Sequence, residues 1–455
     1  MPHSSTIQAL QELLKERITL QSDILITHSK DLSWHPAYLP DAVCYPINNE
    51  EVAAILKICN AHKTPVIPFG TGTSLEGHIL PISGGITVNL SKMNRILDFN
   101  EIDQDCRVEA GVTKFQLNSF LKDKGLFFAA GPGIDASMGG MMASGASGAN
   151  AVMYGTVKEN VRSLKVVMAD GKIVTTRRRV RKSSAGYDLT QLFVGSEGTL
   201  GIITEVTAVL HSLPQFVAVA VVPFPSIEEA IEAAIQLNQS DLQLAMLELM
   251  DEVIMDAINR YSQTDYPVQP TLFLELHSRN ERFENQYSII QKITQQHQAI
   301  ECKWATEPAA KEQLFKARYD AVYAIKALQP EAVFWSSDVT VPISRLAEII
   351  LKTKIELEKL PLHASLFGHV GDGNFHTLLL FKPDNEEELN MVKAINHQIV
   401  LWALEMEGTC TGEHGIGIGK KDYLQMEFGE SGMELMKTVK KAFDPNGIMN
   451  PGKIV

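Results

Sequence analysis

A chain of 455 residues, 45% hydrophobic and 21% charged, has the composition of an ordinary soluble globular protein of two or three domains. Its formal net charge of -13 argues against a nucleic-acid binder, which would usually be basic, but leaves room for a small anionic substrate in a local pocket. Five scattered cysteines (Cys44, Cys59, Cys106, Cys302, Cys410) with no CxxC read as reduced thiols of a cytoplasmic protein, not a disulfide framework.

Ile7, Leu10, Leu14 and Ile18 recur at helical spacing, and Glu12 and Glu16 interrupt the stretch. This predicts an amphipathic helix in a segment 1–37, and neither a signal nor a transit peptide. No run approaches the roughly 20 apolar residues of a membrane span. From 40 to 210, short β-rich runs such as "TPVIPF", "GGITVNL" and "GIITEVTAVL" alternate irregularly with glycine-rich turns and with helices at 49–62 and 113–124. The mixture predicts an α+β domain over 38–213, not a doubly wound sheet. The basic run Arg177-Arg178-Arg179-Val180-Arg181-Lys182 reads as a solvated loop, or as a contact for an acidic partner or a peripheral membrane surface.

After Leu213-Pro214 the pattern changes. "QFVAVAVVPF" reads as a strand, and Ser226 with Glu229 forms a capping box opening a helix at 227–237. Strand 243–249, helix 251–261, strand 271–277, helix 279–297 and strand 300–305 follow, predicting a second α+β domain with an antiparallel sheet over 214–425. Helices near 307–327 and 342–359 bracket the strand "AVFWSSDVTV". A helix at 431–443 precedes the turn-rich end, "AFDPNGIMNPGKIV".

Three glycine-rich loops carry the first functional signal. "PFGTGTSLEG" follows the apolar Val66-Ile67; Gly70 and Gly72 fit a GxGxxG fingerprint, but Leu75 stands where the third glycine belongs. Such a loop can still present backbone N–H groups to an anion. Residues 131–155, "GPGIDASMGGMMASGASGANAVMYG", are too rich in methionine for a linker and allow close backbone approach. With "FVGSEGTLGIITEV", the three favour an extended, phosphate-bearing cofactor. Walker A is excluded at "GEHGIGIGKK", because His414 occupies its first glycine position and Lys421, not Ser or Thr, follows Lys420.

The second signal is "FGHVGDGNFH". A turn centred on Asp372-Gly373 would set His369 opposite His376, with Cβ atoms about 5 Å apart on one face, a geometry suited to one divalent metal. "TGEHGIG" supplies Glu413 as a further ligand and His414 as a base. Arg318 reads as a surface guanidinium or as a clamp for a carboxylate.

Together with "KSSAGYDLTQLFVGSEGTLG", "SDVTVPISRL", "GTCTGEHGIGIGK" and "DPNGIMNPGK", these motifs resemble the FAD-dependent D-2-hydroxyacid dehydrogenases of the vanillyl-alcohol oxidase/PCMH flavoprotein superfamily, over residues 30–455. The resemblance implies a PCMH-type FAD-binding domain of two subdomains, a substrate (cap) domain, and a C-terminal segment 426–455 that packs back on the FAD domain. It implies non-covalent FAD, with the pyrophosphate held by Pro68, Gly70, Thr71, Gly72, Thr73, Ser74 and Gly77. The cofactor would also be lined by Gly131, Pro132, Gly133, Ser137, Met138, Gly140, Ala143, Ser144, Gly145, Gly148, Tyr154, Gly155, Gly198, Ile203 and Asn450. It implies zinc or manganese on His369, His376 and Glu413, His414 as catalytic base, and Arg318 on the substrate carboxylate. The reaction would convert a D-2-hydroxy acid, D-lactate foremost, to the 2-oxo acid. Cytochrome, quinone or electron-transfer flavoprotein would accept the electrons, and a homodimer is implied. A serine, Ser336, stands where the hydroxyglutarate-specific relatives have a lysine, which favours a monocarboxylate. Alternatives are another 2-hydroxy acid, a non-dehydrogenase on the same scaffold such as the alkyl-glycerone-phosphate synthases, or a flavin-binding electron carrier.

Overall fold

In the computed structural model, which describes residues 3–278 and 284–455, strands Ala42–Cys44, Ile86–Asn89 and Val66–Phe69 run parallel, and Ile18–Thr19 adds an antiparallel edge. Parallel neighbours need a long crossover, and residues 70–85 supply it without a helix. A second sheet is antiparallel, in the order Ile96–Asn100, Asp105–Glu109, Ile202–Val209, Val161–Val167, Ile173–Thr175. Each sheet has its own apolar core: one gathers Leu10, Leu14, Val52, Ile55 and Leu56, the other Val108, Leu117, Phe128, Met138 and Val206. Residues 1–148, 155–213 and 413–455 together form this first α+β unit.

The second unit comprises residues 149–154 and 214–412. Its sheet is antiparallel throughout, in the order Lys303–Ala305, Phe216–Pro223, Thr271–Ser278, Leu244–Met250, Ala364–Gly368, Asn374–Phe381, Val333–Ser336. The central strand Leu244–Met250 is buried along its whole length. Helices Glu252–Ser262 and Pro308–Leu328 cover one face, where Met246, Met250, Phe273, Phe315 and Ile325 share a core. Among the described residues no helix is long and apolar enough to cross a membrane.

Several elements differ from expectation. Ile18, placed on the first helix by its spacing, sits beyond the helix Ser4–Leu14 and pairs with Cys44. The return to the first unit begins at Glu413, earlier than the expected 426, and residues 149–154 group with the second unit. The last helix is Lys421–Phe443, ten residues longer than expected, with a break at Gly429 (φ 67°) that masks its first half in the sequence. Helix Glu386–Glu405 was not foreseen. Its apolar stripe (Val392, Ile395, Ile399, Ala403) is interrupted by buried Asn396, while Asn385 accepts hydrogen bonds from the N–H groups of Glu387 and Glu388 as its cap. "AVFWSSDVTV" is two strands, Val333–Ser336 and Val339–Thr340, because fully buried Ser337 and Asp338 break the ladder between them. The first residues of the helix expected at 279–297 lie outside the described residues; the helix is seen over Glu284–Gln296.

Candidate functional site

A cleft of about 1210 Å³, part of it open to solvent, lies in the first unit at the C-terminal end of strand Val66–Phe69. The ends of parallel strands are where small ligands bind. Pro68, Gly70, Thr71, Gly72, Thr73 and Ser74 line it on one side. Pro132, Ser137, Gly140, Ala143 and Ser144 line another, and Gly198, Ile203 and Asn450 complete it. A Cβ at Gly70 would come 2.2 Å from Ser137 Oγ, so the two glycine-rich segments meet with no room for a side chain. Ser137 Oγ in turn caps the helix Met138–Ser144 by accepting from Gly140 N. The glycine loop is tied from behind by Asp31, which accepts from Ser74 Oγ (2.8 Å) and Gly77 N (3.0 Å).

Gly77, Gly131, Gly133, Met138, Gly145, Gly148 and Gly155, also expected at the cofactor, do not line the cleft. Met138 is core, and the Gly131 carbonyl accepts from Lys114 Nζ at 2.9 Å, which fixes the turn that carries Pro132. Tyr154 belongs with the second unit, where its hydroxyl meets His277 Nδ1 at 2.7 Å.

The returning segment 413–455 contributes Glu413 and His414 to the cleft wall as well as Asn450. Glu197 receives it: Oε1 accepts from Ile416 N (2.7 Å) and Oε2 from Gly417 N (2.9 Å). Gly417 has φ 50°, and a Cβ there would fall 1.9 Å from the Glu76 carbonyl oxygen. Asn450 Nδ2 donates to the carbonyls of His78 (2.9 Å) and Glu197 (2.7 Å). Asn450 Oδ1 is buried with no partner among the described residues, an acceptor suited to an N–H of a bound cofactor. His78 also lines the cleft, 3.2 Å from Glu197 Oε1. Burial opposes its charge, but Glu197, with Asp31 and Glu76 behind it, outweighs burial and holds its pKa above the ordinary value. Asp31 and Glu197 carry no role in the sequence reading, and His78 enters it only as the histidine just beyond the first glycine loop, on which the expectation of non-covalent FAD rests. Glu197 lies among the glycines of its loop, while Asp31, in "THSKDLSWHP", has no glycine near it and no local signal.

In the second unit, His369 and His376 do come together, but not as cross-strand partners. The register pairs Phe367 with His376, two residues away from the expected pairing. The reason is a 3-10 turn, Val370–Asp372, that lengthens the connection, with Gly373 at φ 75° ending it. A shift of two preserves the face, and the rings meet edge-on at 5.4 Å. His369 Nδ1 is hydrogen-bonded to Glu248 Oε1. His376 Nδ1 lies 3.0 Å from the Ser337 carbonyl and 3.7 Å from Asp338 Oδ1. Both rings thereby have Nδ1 engaged by the kind of partner that orients a metal-binding histidine. Asp338, fully buried, also accepts from Asn374 Nδ2 (2.8 Å), Thr411 Oγ1 (2.6 Å) and Gly412 N (2.8 Å), which anchors the chain next to Glu413.

Arg318 is not a surface guanidinium. Phe315 and Ala321, three residues to either side, are buried, so Arg318 lies on the inner stripe of helix Pro308–Leu328. Its Nη2 is 2.8 Å from Glu248 Oε2. Its Nε is buried without a hydrogen-bond partner among the described residues. A second carboxylate could occupy that edge.

The family described as "FAD linked oxidases, C-terminal domain" matches residues 213–454, and "FAD binding domain" matches residues 40–177. The chain belongs to the FAD-linked oxidases. A probable mitochondrial D-lactate dehydrogenase of Danio rerio is 45% identical over 97% of this oxidase and 89% of its own length. A mitochondrial D-lactate dehydrogenase [cytochrome] of Arabidopsis thaliana is 44% identical over 99% of this chain and 80% of its own. Among solved structures, p-cresol methylhydroxylase with substrate bound superposes with a TM-score of 0.81 over 99% of this chain and 96% of that one, at 18% identity. That likeness shows the shared PCMH-type fold. The oxidase binds FAD and is an oxidoreductase acting on a CH–OH group.

Proposed function

We propose that this oxidase converts D-lactate to pyruvate, passing two electrons from the substrate carbon to FAD. The two D-lactate dehydrogenases that it resembles over nearly its whole length support the substrate. The observation that carries the reading is the group formed by half-buried Arg318 and buried Glu248 and His369, beside His376. It combines a guanidinium edge without a partner and two histidines oriented to ligate. A 2-hydroxy acid offers the two matching groups, a carboxylate and a neighbouring hydroxyl.

Arg318, through the Nε–H that its Nη2 contact with Glu248 leaves over, binds and orients the carboxylate. His369, His376 and Glu413 would hold a divalent metal, zinc or manganese, which supplies Lewis-acid polarisation of the hydroxyl. His414 accepts the hydroxyl proton as general base. Bound FAD supplies the hydride acceptor. Electrons then leave to a separate acceptor; cytochromes, quinones and electron-transfer flavoprotein are the classes to test. Uncharged Ser336, half-buried in its strand, offers nothing to a second, distal carboxylate, which supports a monocarboxylate. FAD is held without a covalent bond, and His78 is taken up by Glu197.

His414→Ala tests the reading. The variant should keep its flavin spectrum, while anaerobic bleaching by D-lactate slows by about 10²–10⁴-fold. Bleaching at the unmodified rate would refute the role of His414. An unmodified protein whose flavin no simple 2-hydroxy acid bleaches would refute the dehydrogenase itself.

A further inference from the structure

Strand Leu244–Met250 is central in its sheet, and every residue on it is buried. Met246 and Met250 point into the apolar core under helix Pro308–Leu328. Glu248 stands between them on the same face, 1% exposed. A carboxylate there is unfavourable unless charge and hydrogen bonds compensate it. The compensation has a particular form. Oε2 meets Arg318 Nη2 at 2.8 Å, and Oε1 is hydrogen-bonded to His369 Nδ1. One rigid group on a central strand thus touches a side chain on a helix and another beyond the end of the neighbouring strand Ala364–Gly368.

We infer that Glu248 is a positioning residue that sets two groups at once: it fixes the Nδ1–H tautomer and ring orientation of His369, and it aims the free edge of Arg318. The inference rests on the proposed function, in which His369 ligates a metal and Arg318 binds the substrate carboxylate. Two separate supports could be lost separately. A single shared carboxylate couples them, so metal affinity and substrate affinity should fall together.

The test uses the full-length flavoprotein with Glu248→Gln. Gln carries no charge and has only one acceptor oxygen, so it supports neither the His369 Nδ1–H nor the Arg318 guanidinium as the carboxylate does. After metal removal by chelator, Zn²⁺ and Mn²⁺ are titrated calorimetrically, a readout independent of turnover. KM and kcat for D-lactate are measured after reloading. Metal affinity should fall about 10–100-fold, as for other groups that orient a ligating histidine. KM should rise at least about tenfold, with kcat changed less, since a lost binding contact acts on both ground and transition states. FAD content and spectrum should equal those of the unmodified protein. Metal affinity and KM both within about twofold of the unmodified values would overturn the inference. So would a change in only one of them, since the shared role requires both. If Glu248→Gln yields no folded flavoprotein, Glu248→Asp decides on the same two readouts, because the shorter arm cannot span both partners. An unmodified protein that binds neither metal, or is not reduced by D-lactate, removes the parent reading and this inference with it.

Discussion

Gly70 and Ser137 provide a direct test of how the cofactor cleft is packed. A methyl group at 70 would lie 2.2 Å from Ser137 Oγ but 3.4 Å from Ser137 Cβ. Gly70→Ala must therefore drive the hydroxyl away from the Gly140 N–H that it caps. Overpacking of this kind costs about 1–3 kcal/mol, within which the lost cap accounts for about 1. Ser137→Ala alone should lose only that cap. In the double variant the close contact no longer exists, and alanine at a position of ordinary φ adds no strain. The pair should then be no less stable than Ser137→Ala, giving a favourable coupling equal to the Gly70→Ala cost, about 1–3 kcal/mol, in a double-mutant cycle. Urea unfolding of the apoproteins measures the cycle, and FAD titration gives a second reading, tenfold in affinity for each 1.4 kcal/mol. Strictly additive effects, with coupling below about 0.5 kcal/mol, would refute the packing argument.

Asp31→Asn should weaken FAD binding by roughly 10–100-fold, since hydrogen bonds to a charged acceptor contribute about 1.5–3 kcal/mol and Asn offers a single acceptor oxygen. An FAD titration within twofold of the unmodified protein would contradict the role of Asp31 as the tie on the loop. Lys453, 1% exposed, is pushed down to about 8 by burial and donates to the Leu80 carbonyl. Because its folded pKa lies below the ordinary 10.5, the folded state binds fewer protons between pH 8 and 10.5. Stability from this group should therefore rise with pH across that window and fall as pH drops through 8, by at most about 3 kcal/mol. Lys453→Met should flatten that slope in unfolding curves recorded from pH 7 to 10; an unchanged slope would assign it elsewhere. Denaturation in acid should release all of the yellow cofactor into the supernatant, and flavin remaining on the precipitate would mean a covalent link.

The sequence made the α+β class, the break at Leu213-Pro214 and the cofactor type readable, because glycine punctuation and strand runs are local signals. The family motifs carried the rest. What it hid was long-range. Asp31 and Glu197 act on loops 43 or more residues away, and no periodicity marks such a pair. The register at His376 escaped because a hairpin with a 3-10 turn looks, residue by residue, like a tight one. Glu248 was legible in principle: one carboxylate in "LAMLELM" has nowhere polar to go within its own strand. Arg318 had the same signal in the buried neighbours Phe315 and Ala321, but a helix with polar residues on several faces concealed the stripe.

The return of residues 413–455 to the first unit has a consequence for synthesis. Val66 exchanges backbone hydrogen bonds with Ile448 and Asn450, both at 2.8 Å. The oldest sheet on the ribosome is therefore completed by some of the newest residues. Between them the whole stretch 214–412 must emerge, which takes about 10–40 s at ordinary translation rates of 5–20 residues per second. Throughout that interval the edge of Val66–Phe69 is uncovered and Glu197 lacks the N–H groups that later satisfy it. Nascent chains should thus depend on chaperones until Asn450 has emerged. Flavin capture would serve as a late checkpoint, because a chain cut short of Asn450 lacks part of the cleft's wall.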